Sequence, residues 1–218
     1  MSESQEQKKK SGCAKGCAAG CATLILLAVA GGFLIYLGYS KLVNIVKTEY
    51  AATAPAKLPS VTVSAQETAE LFKRVDAFSR AVREGQSGQE LTLTSRDINV
   101  LIQKSPSWSA LSDKVYVTLE DTRIHGDASI PLGAYLGALK GCWLNGSGTF
   151  RVETAAGRLL VFMDALSVRD KPVPEKFMAG IRSKNLAEDA TKKPETAALL
   201  QKLDSVAVRD GKLHIKSK

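Results

Sequence analysis

Lys114-Val115-Tyr116-Val117-Thr118-Leu119-Glu120-Asp121-Thr122-Arg123-Ile124-His125-Gly126-Asp127-Ala128-Ser129-Ile130 alternates apolar and polar side chains on either side of Asp121-Thr122. A period of two sends successive side chains to opposite faces, the pattern of a strand with one buried side. A two-residue hairpin turn sets Leu119 opposite Ile124 and Val115 opposite Ala128, which keeps the apolar set on one face.

The same pattern recurs twice. Around Ala155-Ala156-Gly157, a three-residue loop with Gly157 left-handed pairs Val152 with Leu160 and Phe150 with Phe162. A turn at Asp210-Gly211 pairs Val208 with Leu213 and Val206 with Ile215. Helical signals fill the gaps. Ser64-Ala65-Gln66-Glu67 reads as a capping box before Leu71, Phe72, Val75, Phe78 and Val82, and Gly85 ends that run. Leu91-Thr92-Leu93-Thr94 is a short strand leading to a second cap, with Asp97 three residues on and Ile98, Leu101 and Ile102 as the inner face. Ser105-Pro106 stops it. Prolines open two further helices, at Pro174-Glu175 (inner face Phe177, Met178, Ile181) and Pro194-Glu195 (Ala197, Leu200, Leu203). The fold class expected is α+β, an antiparallel β-sheet domain with helices packed on one side.

Upstream, residues 16–40 form 25 consecutive uncharged positions. A helix of that length spans a hydrocarbon core of about 30 Å with allowance for tilt. A cleaved secretory signal is the competing reading, but its apolar segment is shorter and ends at a small-residue cleavage site. Lys8, Lys9, Lys10 and Lys15 precede the stretch and Lys41, Lys47 and Lys57 follow it, so the positive-inside rule favours a cytoplasmic N-terminus. The chain divides into a basic polar tail (1–15), a transmembrane helix (16–40), a helical stalk and linker (41–60) whose helix runs on to Pro55 and Pro59, and an extracytoplasmic α+β domain (61–218). Cys13, Cys17 and Cys21 recur every four residues on one stripe of the helix entering the membrane; their spacing does not fit an iron–sulfur motif, and small apolar filling or membrane-proximal acylation are the readings left. Gly16 and Gly20 form one small-xxx-small pair suited to helix association.

The 218 residues suffice for one domain with appendages. The net charge of +8 is shared: six lysines stand against Glu3 and Glu6 in the first 47 residues, leaving 24 basic against 20 acidic residues for the remainder. With 6% aromatics and interspersed acids, this argues against a nucleic-acid partner. His125 and His214 fall on polar strand faces without ligand spacing, no serine has a G-x-S-x-G context, and no glycine-rich phosphate loop is present. No enzyme, metal or cofactor is expected; a hydrolase would have to build on Asp164 with a partner the sequence does not place.

Two features point toward binding. Leu159-Leu160-Val161-Phe162-Met163 is apolar on both faces, so its second side needs a cover: a helix of the domain, a partner or a lipid-like ligand. A groove between sheet and helices would be lined by Phe72, Phe78, Phe150, Leu160 and Phe162. Asp164 falls on the apolar side of the register, so it stands either at a strand bulge, the reading preferred, or hydrogen-bonded by a neighbour. The stretch from Leu132 to Gly141 is apolar and glycine-rich, readable as a lid, a membrane-surface contact or loose packing.

Leu91-Thr92-Leu93-Thr94 with Asp97-Ile98-Asn99, Trp143-Leu144-Asn145-Gly146 with Thr149-Phe150, Pro172-Val173-Pro174-Glu175, Lys184-Asn185-Leu186 and Asp210-Gly211-Lys212-Leu213 resemble an uncharacterised group of bacterial single-pass membrane-anchored proteins. The layout is distantly similar to YpmS-type anchored extracytoplasmic domains. The resemblance implies an outer domain anchored in the cytoplasmic (inner) membrane; it carries over no catalytic residue, and a bacterial host would remove the acylation reading. The function expected is that of a membrane-anchored non-catalytic domain of the cell envelope, binding a lipid-like ligand or an envelope protein. The alternative is an assembly subunit that self-associates through its transmembrane helix into a homo-oligomer.

Overall fold

The computed structural model describes residues 39–41, 43–155, 158–192 and 194–218. Two compact units divide the chain, Met1–Glu49 and Tyr50–Lys218. Residues 39–41 and 43–45 are helical, and a π-helical turn, Val46–Tyr50, follows them. The 16–40 stretch lies, apart from Tyr39 and Ser40, outside the described residues, as do Gly16, Gly20 and the three N-terminal cysteines. Among the described residues no helix is long and apolar enough to cross a membrane.

The larger unit is α+β, with two antiparallel sheets where the sequence suggests one. In chain order it contains α1 (Ala65–Arg83), β1 (Glu90–Thr94), α2 (Ser95–Lys104), β2 (Val115–Glu120), β3 (Arg123–Pro131), β4 (Trp143–Ala155), β5 (Arg158–Val168), β6 (Lys171–Pro172), α3 (Glu175–Arg182), α4 (Glu188–Thr191), α5 (Pro194–Gln201), β7 (Leu203–Arg209) and β8 (Lys212–Ser217). Sheet A runs β2-β3-β4-β5-β6, and sheet B runs β1-β8-β7. Pairing of β1 with β8 cannot be read from local pattern, because it joins residues more than 110 positions apart.

The first and third hairpins take the expected register: Val115 faces Ala128 and Leu119 faces Ile124, while Val208 faces Leu213 and Val206 faces Ile215. At the latter turn Asp210 and Gly211 both have positive φ (49° and 65°), which suits the right-handed strand twist and favours glycine at the second position. The middle hairpin differs by one residue. Ala155 pairs with Arg158, so the connection takes two residues rather than three, and Val152 faces Val161 while Phe150 faces Met163. A one-residue slip carries the side chains of β5 from Arg158 to Met163 to the other face. Leu159, Val161 and Met163 therefore point inward, and Leu160 and Phe162 outward. Phase is recovered at the expected bulge: Thr149 pairs with Ala165 and Phe150 with Met163, which leaves Asp164 as the extra residue.

Helices α1 and α2 begin as the sequence indicates. At each N-terminus a hydroxyl (Ser64, Thr94) accepts from the backbone N–H three residues on, and the carboxylate there (Glu67, Asp97) accepts from the cap backbone N–H. Leu71, Leu91, Leu93, Ile98, Leu101, Leu119 and Val208 fill the core joining both helices, sheet B and β2, with Phe72 and Phe78 packed against it. Helix α3 buries Met178 (2% exposed), but Phe177 is 53% exposed where an inner position was expected. This helix lies against β5, and the chain is tied to that strand just before it, where Pro172 faces Ser167 and Val173 N–H bonds Leu166 O, and just after it, where Leu186 N–H bonds Val161 O.

Glu67 also faces Arg96 at 3.1 Å. Its carboxyl is held below the ordinary value of 4.5, first by the Ser64 backbone N–H, then by the Ser64 hydroxyl and Arg96. A lowered folded value means that the stabilisation is complete above the unfolded carboxylate range and is lost as pH falls through the folded value. Glu67→Gln should therefore lower the urea midpoint at neutral pH and match the parent in acid; an equal deficit at both pH values would contradict this cap.

Asparagines cap the exposed backbone of two strands of sheet A, β2 and the part of β5 that β6 does not reach. At β2, the Asn99 Oδ1 accepts from Val117 N–H (2.8 Å) and its Nδ2 donates to Val117 O (2.6 Å), while Ser95 Oγ accepts from Leu119 N–H (2.8 Å). At β5, Asn185 Oδ1 accepts from Val161 N–H (2.9 Å), its Nδ2 donates to Leu159 O (3.1 Å), and Leu186 N–H reaches Val161 O (2.8 Å). Each amide reproduces the donor and acceptor of an absent neighbouring strand.

The compact unit starts at Tyr50 rather than at residue 61. Ala52 and Trp143 exchange backbone hydrogen bonds at 2.8 Å, so helix cannot run to Pro55. Ala56 N–H then donates to Ser129 Oγ (3.0 Å) and Asn145 Oδ1 (3.1 Å), and Asn145 Nδ2 donates to Ala54 O (3.0 Å). What reads as linker is a strap fastened to β3 and β4.

Candidate binding surfaces

The five groove residues do not line one groove. Phe72 packs into the main core, and Phe78 reaches both core clusters and the margin of a shallow cleft between α1 and β1. Phe150 lies over two glycines of sheet A, within 3.3 Å of where a Gly126 Cβ would stand and 3.0 Å of a Gly148 Cβ. Leu160 and Phe162 are on the opposite side of the sheet from Phe150, because of the register described above. The cleft between α1 and α2 is walled largely by charge, with Glu67, Glu70, Arg74, Arg96 and Asp97 in its lining and ion pairs across it, whereas one between Arg83 and α5 includes Ala198 and Leu199.

The outer face of sheet A brings together a group that periodicity alone misses. Asp164, carried outward by the bulge, accepts from Arg123 Nη1 on one oxygen and from Arg151 Nε on the other (2.8 Å), and its backbone carbonyl accepts from Arg182 Nε (2.9 Å). The Arg151 guanidinium sits 5.6 Å from the Phe162 ring centroid, a cation–π distance. The hydrogen bond and charge of Asp164 hold the Arg151 proton more firmly than usual. His125 completes the patch, its Nδ1 3.2 Å from Thr149 Oγ1 and its Nε2 3.4 Å from Glu120. The signal available in the sequence was the phase change along β5, with Leu159, Val161 and Met163 odd, and Leu166 and Val168 even. Within the patch the Asp164 carboxylate is shared by two arginines, and Glu120 faces His125. Among the described residues no three His, Cys, Asp or Glu side chains gather as a metal site. Cys142 is buried and free.

A second surface lies at the end of sheet A where the strap enters. β2 starts there, β3 ends there, and β4 starts there, since Ser129 N–H bonds Lys114 O and Pro131 pairs with Trp143. Beyond this end project two short turns. Pro106–Leu111 leaves Trp108 and Leu111 exposed by 42% and 45%; the loop after β3 leaves Tyr135 and Leu136 exposed by 77% and 41%. That loop is built firmly, with Leu139 wholly buried, Leu132 N–H bonded to Cys142 O (2.9 Å), and the chain so doubled back that a Gly133 Cβ would stand 2.8 Å from Lys140 Cα.

Comparisons with known protein families, with curated proteins and with solved structures find no match.

Proposed function

We propose that this chain is a single-pass protein of the cytoplasmic membrane, with residues 16–40 as its anchor, the basic tail inside, and a non-catalytic binding domain outside. Of the two partners expected, a protein is favoured over a lipid-like ligand. The observation carrying that choice is the outer face of sheet A, where half-buried Leu160 and Phe162 are framed by Arg123, Arg151, His125 and Asp164. Aromatic and arginine side chains in a partly desolvated setting are what protein interfaces use as anchors. The phenylalanines that a lipid groove would need are spent on the core and on covering glycines. Asn99 on β2 and Asn185 on β5 occupy backbone groups that a strand adding to sheet A would use, which favours a partner that meets a face of that sheet.

The test uses the full-length protein in intact cells, with a photo-crosslinking amino acid in place of Phe162 and, for comparison, of Phe177. One discrete adduct from position 162 that disappears with Arg151→Glu is the expected result; equal labelling from both positions, or none from 162, would count against the reading. An adduct at twice the protein's mass would instead make the partner a second copy of this chain meeting the same face. Orientation is checked separately: in intact cells a membrane-impermeant thiol reagent should label a Phe177→Cys variant above the parent, and labelling only after permeabilisation would reverse the topology.

A further inference from the structure

We propose that the end of the domain where the chain enters rests on the anionic surface of its own membrane, with Trp108, Leu111, Tyr135 and Leu136 in the headgroup layer. This rests on residues 16–40 being the anchor. Three independent observations select a bilayer as the occupant of this surface.

The first is chain length. Ala52 is fastened to Trp143, twelve residues after Ser40, and twelve residues span about 18 Å as helix and about 40 Å fully extended. The far end of β4, at Ala155, is another twelve residues along the strand, about 40 Å away. A membrane at the start of the tether is thus within easy reach of the Trp143 end.

The second is the type and setting of the exposed side chains. Tryptophan and tyrosine favour the membrane–water boundary, where an apolar ring and a polar tip are both accommodated. All four residues stand on turns that project past the sheet, two on each, and the loop carrying Tyr135 and Leu136 is held rigid from beneath by Leu139. Presenting them in order avoids an ordering cost on contact.

The third is charge. Segments forming this end (50–58, 104–115, 131–143 and 169–172) carry Lys57, Lys104, Lys114, Lys140, Arg169 and Lys171 against Asp113 and Asp170, a net of +4. Helix α2 delivers Lys104 to this end because Ser95 lies beside Leu119 and Asn99 beside Val117. At the opposite end, the turns at 120–123, 153–158 and 209–212 hold Glu120, Asp121, Glu153 and Asp210 against Arg123, Arg158, Arg209 and Lys212, a net of zero. Gly211 N–H bonds Asp121 O, which places two of those turns together. A cationic, aromatic end opposite a neutral one matches a surface of anionic lipid, whose potential attracts lysines within a Debye length.

The experiment reconstitutes the full chain carrying Trp143→Phe, which leaves Trp108 as its tryptophan, in vesicles of one part phosphatidylglycerol to two parts phosphatidylcholine, the latter brominated near the headgroup. Trp108 fluorescence should be quenched at least about twofold more than in phosphatidylcholine alone, and the excess should vanish in about 1 M salt, where the Debye length is about 3 Å. The double substitution Tyr135→Asp with Leu136→Asp, at exposed positions that leave the fold intact, should reduce the quenching. A tryptophan placed at Phe177, with Trp108 and Trp143 both replaced by phenylalanine, should remain bright. If Trp108 is unquenched, or position 177 is quenched equally, the surface does not sit on lipid. Flotation of the same vesicles after alkaline wash separates the two ideas: chain that floats with unquenched Trp108 overturns only the contact, whereas chain that is stripped off overturns the anchor on which it depends.

Discussion

Asn99→Asp should remove about 3 kcal/mol or more from the stability of the domain, enough to lower its melting temperature by about 6–12 °C. Asn99 is 2% exposed, and its amide nitrogen donates to Ser95 O (2.8 Å) and to Val117 O (2.6 Å) while its oxygen accepts from Val117 N–H. Aspartate keeps the shape but has no N–H, so two buried carbonyls would face a carboxylate instead of a donor. Leaving a buried acceptor unsatisfied costs about 1–3 kcal/mol, and an unpaired buried charge adds to that. Near-ultraviolet circular dichroism of the full chain in detergent reads the transition. Asn99→Ala should fall by a smaller amount, and an Asn99→Asp melting temperature within a degree or two of the parent would show that α2 does not close the edge of sheet A.

Gly146→Ala should be nearly as damaging, at about 3 kcal/mol. A Cβ on Gly146 would stand 2.6 Å from the backbone oxygen of Ser167 and 3.6 Å from Val168 Cγ2. The oxygen belongs to the β4–β5 ladder, where Gly146 pairs with Val168, and it cannot retreat without opening that pairing. Gly137→Ala is the matched comparison, since a Cβ there meets nothing within 4 Å. Equal melting temperatures for the two variants would mean that the strands part more easily than this contact implies.

Legibility differed between elements for physical reasons. The hairpins at 115–130 and 206–215 could be registered because a two-residue turn and an alternating pattern fix the same pairing independently. At 150–163 neither constraint acts: Ala155-Ala156-Gly157 accommodates loops of two or three residues, and a strand apolar on both faces has no phase to violate. The slip then carried Leu160 and Phe162 out of the expected groove, while Asp164 still marked the bulge because a carboxylate cannot share the apolar face without compensation. Both helix caps were legible since hydroxyl and carboxylate three residues apart make a local device. The edge closures by Asn99 and Asn185 were not, because each depends on a strand distant in sequence from the helix or loop that supplies it. Phe177 shows the limit of helical periodicity, which gives the apolar stripe of α3 but not how much of it the neighbouring strand can cover.

The place of β8 at the centre of sheet B sets an order of events during synthesis. It lies between β1 and β7, yet it leaves the ribosome after all seven other strands. A nascent chain can form the β2–β5 meander while β1 still has no partner, and for that interval Leu91 and Leu93 have no sheet to join. Domains complete themselves as units, and unpaired strand edges are prone to wrong association while they wait. Closure of this domain therefore waits for β8: a chain arrested short of residue 212 leaves β1 and β7 without the strand that joins them and remains a substrate for quality control.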